Sequence, residues 1–351
     1  MDSCITKRKG RKSFRLLFLF IMYVNFLSGS DYVFPDSLSL FLKNTGIPVE
    51  HKIRKLNELS AMLVKNDLQK AKEYSLKSYS FLDKCNDPEL RGETYRNMSV
   101  VYMLTDSGLN FAREAIREFH HVPDDSKLAD SYLHYANLLR YYGRYDSSLV
   151  CYIKAKDIFA KNKDKLKLAS VQCELGFYYK ELFNYDKAYD FAILALDQFK
   201  KLNDKNGIAD ATTILGECYF NKNDTLNIFK NVQEQINLYR ELGIDYMLSH
   251  SLSNMGDAYM DYTDDFDKAL AYLFQSEKLA EEINRMDVYI NTVRKIARAY
   301  EKKGELDSAV FYMNKAIEKT DSSTLVTRMY NDLMLTYIYI EAGDADKAMD
   351  S

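Results

Sequence analysis

The residues best placed for chemistry in this 351-residue chain are three cations, Arg294, Lys295 and Arg298. Arg294 and Arg298 are four apart, so on a helix they share one face. Guanidinium groups hold carboxylates through paired hydrogen bonds, which suits this face to a ligand carboxylate. Asn254 and Asp257 stand about 40 residues earlier, on the matching face of a similar segment. Asn137 and Arg140 add an amide and a guanidinium further up the chain. The competing reading is structural. Arg294 and Arg298 pair with Asp257 and Asp261 in a partly exposed ladder worth about 0–1 kcal/mol per pair. Residue types and spacing leave both readings open.

Catalytic signatures are absent. There is no phosphate-binding glycine loop, no Gly-x-Ser-x-Gly elbow and no His-Glu-x-x-His zinc pair. The five histidines are His51, His120, His121, His134 and His250, and none has metal-ligand spacing. Asp257, Asp261, Asp264, Asp265 and Asp267 lack the glycine and the final glutamate of a calcium loop. A net charge of −3 with 28% charged residues gives no pull towards nucleic acid or acidic lipid. The expectation is a chain with no cofactor, no metal and no enzymatic activity.

The elements that position these residues recur. Gly176, Gly216 and Gly256 are spaced by 40, and Ala297 follows at 41. Three residues after each stands a tyrosine: Tyr179, Tyr219, Tyr259 and Tyr300. Small residues Ala188, Ala269 and Ala309 open a second segment twelve or thirteen residues after Gly176, Gly256 and Ala297. Val293, Ile296, Ala297 and Tyr300 form an i, i+3, i+4, i+7 stripe, which is one helical face. Gly304 then ends that helix, and Asp307 is a candidate cap for the next. A glycine inside a helix costs about 1 kcal/mol against alanine, so the repeated glycine predicts a close contact, Gly176 facing Ala188. Gly207 is read as part of a turn, Asn203–Gly207. No proline follows Pro123, as uninterrupted helices require.

This pattern resembles the tetratricopeptide repeat, in a long form of about 40 residues rather than 34. Such long units are similar to those in exported or sensor regions of bacterial signalling proteins. The resemblance implies an all-α, right-handed α-solenoid of about eight antiparallel helix pairs over residues 51–351, its last repeat incomplete. It also implies a concave groove lined by first helices, holding a protein or peptide. One subgroup clamps a carboxylate with a basic residue and an asparagine one turn on. Here Arg294 is followed by Arg298, and Asn137 is preceded by Leu133, so that combination is missing. In the fifth repeat Ile228 replaces the small residue, which predicts a distorted pair. The implied function is a non-enzymatic binding scaffold. The alternative is the extracytoplasmic sensor region of a membrane signalling protein with a histidine kinase or DNA-binding output.

Residues 1–30 stand apart, and 31–50 form a lead-in. Lys7, Arg8, Lys9, Arg11, Lys12 and Arg15 precede an apolar run of 12, Leu16–Leu27, and then Ser28-Gly29-Ser30. Twelve helical residues span about 18 Å, short of the roughly 30 Å hydrocarbon core. This is the form of a secretory signal peptide, with an uncleaved inner-membrane anchor as the alternative. The expected location is exported and periplasmic, with the four remaining cysteines either buried thiols or bridged. Mass spectrometry of the natively expressed protein is expected to find a chain beginning near Asp31. An intact amino terminus would leave the anchor.

Overall fold

The computed structural model describes residues 35–320 and 325–341, together with 343 and 348. Residues 1–30 lie outside the described residues, as do most of those in the second helix of the last repeat. Among the described residues there are sixteen α-helices and no strand. Helix α1 is Pro35–Lys43, within the lead-in. Then come α2 (Val49–Leu63) with α3 (Leu68–Tyr79), α4 (Pro88–Val101) with α5 (Asp106–Phe119), and α6 (Ser126–Tyr141) with α7 (Tyr145–Lys161). Next are α8 (Lys165–Glu181) with α9 (Tyr185–Leu202), and α10 (Lys205–Asn221) with α11 (Thr225–Leu242). The last are α12 (Asp245–Tyr262) with α13 (Phe266–Glu282), α14 (Met286–Lys303) with α15 (Leu306–Lys319), and α16 (Leu325–Glu341). Consecutive helices pack on one another, so the chain is an all-α array of helix pairs in the tetratricopeptide-like manner. It divides into two compact units at residues 135 and 136, within α6.

From Gly143 onward the turns are built alike. A residue with positive φ ends one helix and the next residue begins another. Lys163, Phe183, Asn203 and Asn223 hold φ of +51° to +57°. Directly after them, Asp164, Asn184, Asp204 and Asp224 accept a hydrogen bond from the backbone N–H three residues on. Each such cap contributes about 1 kcal/mol. At Gly143, Gly243 and Gly304 glycine takes the left-handed place at no steric cost. Asp307 is not a cap: Glu305 holds that position without a side-chain bond, and Asp307 lies in the first turn of α15.

In the first unit, polar groups fill part of the core. Ser60 Oγ meets Ser75 Oγ at 2.6 Å, and Ser78 Oγ donates to Asn57 Oδ1 at 2.8 Å, all of them buried. Ile53, Leu82, Cys85 and Leu90 pack beside them. In the second unit the small residues lie where helices touch. Ala188, Ala269 and Ala309 are completely buried. A Cβ on Gly176 would meet Ile214 Cδ1 at 3.0 Å and the Ala188 carbonyl at 3.5 Å. Cys85, Cys151, Cys173 and Cys218 are buried free thiols. Helix α16 turns Leu335 and Ile338 into the core and leaves Met329, Leu333, Tyr337 and Ile340 exposed. No helix of the described residues is long and apolar enough to cross a membrane.

The tyrosines of the repeat are half-buried and stack across their pair. Tyr179 lies on Phe191 at 5.5 Å, Tyr259 on Tyr272 at 5.6 Å, and Tyr300 on Tyr312 at 5.4 Å, all nearly parallel. Tyr219 instead meets Tyr189 edge-on. In the fifth repeat α11 is continuous and Ile228 is fully buried. The space above Gly216 is taken by Asn231 and Gln235, and Gln235 Nε2 donates to the Thr212 carbonyl at 2.9 Å.

Gly207 corrects the sequence reading. It sits inside α10, its N–H held by Asp204. A Cβ there would lie 2.3 Å from the ring of Phe199, which is itself 2% exposed. On Gly216 the nearest atom, 3.0 Å away, is the end of the Asn231 side chain. Gly207→Ala is therefore expected to destabilise by about 1–3 kcal/mol through overpacking. Gly216→Ala should stay within about 1 kcal/mol of wild type, because Asn231 can shift and helix propensity improves. Urea denaturation of both variants checks this, and a larger loss at Gly216 would refute it.

Candidate functional site

The first helices of successive pairs lie side by side in the second unit, α8 beside α10 and α12 beside α14. Across α12, α14 and α16 runs a cleft of about 670 Å³. Helix α12 offers His250, Ser253, Asp257 and Asp261, which recur at one-turn intervals on one face. Helix α14 adds Asn291, Arg294, Lys295 and Arg298, and α16 adds Met334. Arg294, Lys295, Arg298 and Asp257, singled out from the sequence, thus come together in one cleft. Asn254 is half-buried and does not line it.

The cations are held in a definite order. Lys295 Nζ donates to Asp257 Oδ2 at 2.6 Å and to Ser253 Oγ at 2.9 Å. Arg298 donates to Asp261 at 2.9 Å, and Lys302 reaches the same carboxylate at 3.2 Å. Arg294 is bonded instead to two amides, Asn331 Oδ1 at 2.6 Å and Asn291 Oδ1 at 3.1 Å. Of the two ladder pairs considered from the sequence, Arg298 with Asp261 forms. Asp257 is taken by Lys295 rather than by an arginine. Burial pushes the Asp257 carboxyl up, against the pull of Lys295. Its Oδ1 is buried with no hydrogen-bond partner among the described residues, as is His250 Nε2. His250, Asn291, Asn331 and Lys302 were not picked out from the sequence. Asn291 carried a signal, one turn before Arg294 on the same face.

Asn137 and Arg140 sit elsewhere in this unit. Arg140 bonds Glu174 at 3.1 Å, Glu181, and the Tyr152 hydroxyl at 3.1 Å. The Tyr152 hydroxyl donates to Asn137 Oδ1 at 2.5 Å. Burial raises the Glu174 carboxyl despite the opposing pull of Arg140. Asn137 and Arg140 are thus tied into a polar cluster that joins α6, α7 and α8. No group of three or more metal-ligating side chains is found among the described residues.

No family model matches the sequence, and no curated protein matches it. Solved structures do. RapI superposes with a TM-score of 0.59 at 16% identity, over 76% of this chain and 97% of RapI. The quorum sensor NprR from B. thuringiensis gives 0.58 at 16% identity, over 83% of this chain and 82% of NprR. NprR in complex with its cognate peptide NprX gives 0.51 at 16% identity, over 83% of each chain. A signal-transduction ATPase with a tetratricopeptide repeat sensor, from Pyrococcus horikoshii, gives 0.57 at 16% identity, over 92% of this chain and 58% of that one. The chain has the tetratricopeptide-like helical repeat fold that these proteins share.

Of the histidines, His134 in the first unit has the most constrained surroundings. Ser99 Oγ donates its only proton to the Gly108 carbonyl at 2.8 Å. The contact of Ser99 Oγ with His134 Nε2 at 2.9 Å therefore has the ring nitrogen as donor. Burial, and then the nearby Arg96, lower the His134 pKa from 6.5 to about 4. Because the folded value is depressed, the stability it contributes is complete above pH 6.5 and is lost as pH falls towards 4. The difference between the two values corresponds to about 3 kcal/mol. Relative to pH 7.5, wild type at pH 4.5 is expected to lose about 2–3 kcal/mol more than His134→Gln, whose amide can still donate to Ser99. Parallel stability curves for the two proteins would remove His134 as the titrating group.

Proposed function

We propose that this chain is a non-enzymatic scaffold that holds a peptide or protein segment along the first helices of its second unit. The observation that carries the reading is the cleft across α12, α14 and α16. It is an open surface on three consecutive first helices, lined mostly by cations, carboxylates and other polar side chains, with two apolar residues, Val288 and Met334. Such a lining suits a peptide, which brings backbone donors and acceptors together with charged ends. NprR, which shares the fold, has been solved with its cognate peptide NprX, and that supports a ligand of the same chemical class here. A carboxylate of the ligand would be received by Arg294 and Arg298. Each guanidinium has five N–H donors, so a bond to Asn331 or Asp261 does not exhaust it.

In this reading the protein acts outside the cytoplasm, in the periplasm, released by cleavage near Ser30 or held at the inner membrane by residues 1–30. The basic head and the short apolar run support export. A second reading takes the array as the sensor region of a bacterial signalling protein. Its likeness in fold to the tetratricopeptide repeat sensor of the signal-transduction ATPase favours that reading.

The test captures partners from a native extract with wild type and with Arg294→Glu/Arg298→Glu, both shown to be folded by circular dichroism. The variant is expected to lose a partner that the wild type retains and that moderate salt weakens. If both retain the same partners with the same salt dependence, these arginines are structural and the cleft is not the working surface.

A further inference from the structure

One side chain of the second unit is held against two preferences at once. Phe183, in the turn between α8 and α9, has φ of +56° and is 79% exposed. The left-handed conformation is disfavoured for a bulky side chain, and an exposed ring is apolar surface left in water. Four other turns of this kind hold Gly143, Asn223, Asp264 and Gly304 at the same place, residue types that accept the conformation more readily. A Cβ on Gly143 or Gly304 would meet nothing within 4 Å, so a side chain here reaches away from its own repeat. The Phe183 ring meets Tyr185 edge-on at 6.4 Å, a contact that leaves most of it in solvent. Folding does not call for this ring.

Phe183 is the middle of a row. Tyr141 stands 42 residues before it and Leu226 stands 43 after it, each at the turn of its own helix pair, 67% and 79% exposed. Printed across the row are contacts that join the three turns. Arg140 bonds Glu181, and Tyr145 meets Tyr178 at 6.0 Å. Lys222 Nζ donates to Asp186 at 2.8 Å, and the Cys218 thiol donates to the Tyr185 carbonyl at 3.5 Å. Tyr141, Phe183 and Leu226 therefore follow one another along one edge of the second unit, with exposed Leu182 beside Phe183. The charges of these turns balance. Arg140, Arg144, Lys180, Lys187 and Lys222 stand against Asp146, Glu181, Asp186 and Asp224, with Glu217 bonded to Lys180. An acidic membrane finds no basic patch here, and a second copy meets no excess of like charge.

We infer that this edge is the contact between two copies of the chain, antiparallel about a two-fold axis at the Phe183 pair, with Tyr141 of each copy against Leu226 of the other. Near-equal spacing on either side of Phe183 lets the row match itself reversed, as a two-fold contact requires. The two aromatic residues bring about 150 Å² each and the two leucines about 100 Å² each. Two copies then bury roughly 1,000 Å², the lower limit of a specific interface. The inference is independent of the cleft, which none of these residues lines.

The test follows the mass of the full chain by analytical ultracentrifugation as concentration rises. An interface of this size is expected to give a dimer with Kd of about 1–100 µM. Phe183→Gly should weaken the dimer about a hundredfold, about tenfold for each ring lost. It should leave stability to urea unchanged or higher, because glycine suits the turn; a ring needed for folding would lower it. Tyr141→Cys mixed with Leu226→Cys is expected to give a disulfide-linked dimer on mild oxidation, and neither variant alone. Self-linking of either variant would overturn the antiparallel arrangement. A chain that stays monomeric throughout overturns the inference, as does a dimer that Phe183→Gly leaves intact, the result expected of association through residues 1–30. If wild type binds phosphatidylcholine vesicles without forming a dimer, and Phe183→Gly does not bind them, the edge is a membrane face and the two-copy contact falls.

Discussion

The close approach of paired helices is the contact on which the rest of the second unit depends. At Gly176 the backbone of α9 comes within ordinary contact distance of where a Cβ would be. At Gly256 a Cβ would overlap Leu273 at 2.6 Å. At Gly256 that overlap leaves no room for a side chain, and Ala188, Ala269 and Ala309 are completely buried on the facing helices. Close pairing sets the thickness of a repeat. That thickness in turn sets how far apart successive first helices lie. Cross-helix contacts such as Lys295 to Asp257 form only within a few ångströms, so the groove's charges meet because the helices behind them carry small residues.

Separation alone does not decide which face a first helix shows to the groove. Rotation about its axis does, and the tyrosine stacks oppose that rotation. Tyr179 on Phe191 and Tyr259 on Tyr272 each link the two helices of one pair through parallel rings. Lys187 and Lys268 lie over Tyr179 and Tyr259 at 5.0 and 5.4 Å, adding a cation to the ring face. A stacked aromatic pair adds about 0.5–1.5 kcal/mol beyond its burial. That is modest for stability but directional, since sliding the rings apart loses it. Tyr259 lies two residues after Asp257 on α12, so the stack and the cleft carboxylate are fixed by the same helix rotation.

What was legible in the sequence follows from which positions tolerate only one residue type. Most pairs carry small residues at the helix interface, the fifth with its buried Ile228 being the exception, so Gly176, Gly216, Gly256 and Ala297 displayed the period. The turns accept several types. The left-handed position is filled by Gly143 and Gly304, but also by Phe183, Asn223 and Asp264, because a cap and two helices hold it there. Only the glycines read as turns, and the true period of 20 residues per helix, visible in caps Asp164, Asn184, Asp204 and Asp224, stayed hidden. Gly207 was misplaced for the same reason: the helix starts at its Asp204 cap, and the glycine is there to clear Phe199. At the site, spacing put Arg294 and Arg298 on one face. It gave no account of partners across helices, where side-chain reach and rotation decide, so Lys295 rather than Arg294 holds Asp257.

The cleft and the core draw on different energies. The core is apolar burial around small contacts, and replacing a small residue there by a larger one costs about 1–3 kcal/mol. The groove pairs are half-exposed, Lys295 at 28% and Asp257 at 22%, and pairs of that kind contribute about 0–1 kcal/mol each. Groove residues can therefore change with little effect on folding, while the core pattern must persist. Structures only 16% identical to this chain still share its fold over four fifths of their length or more, as expected when the core is constrained and the surface is free.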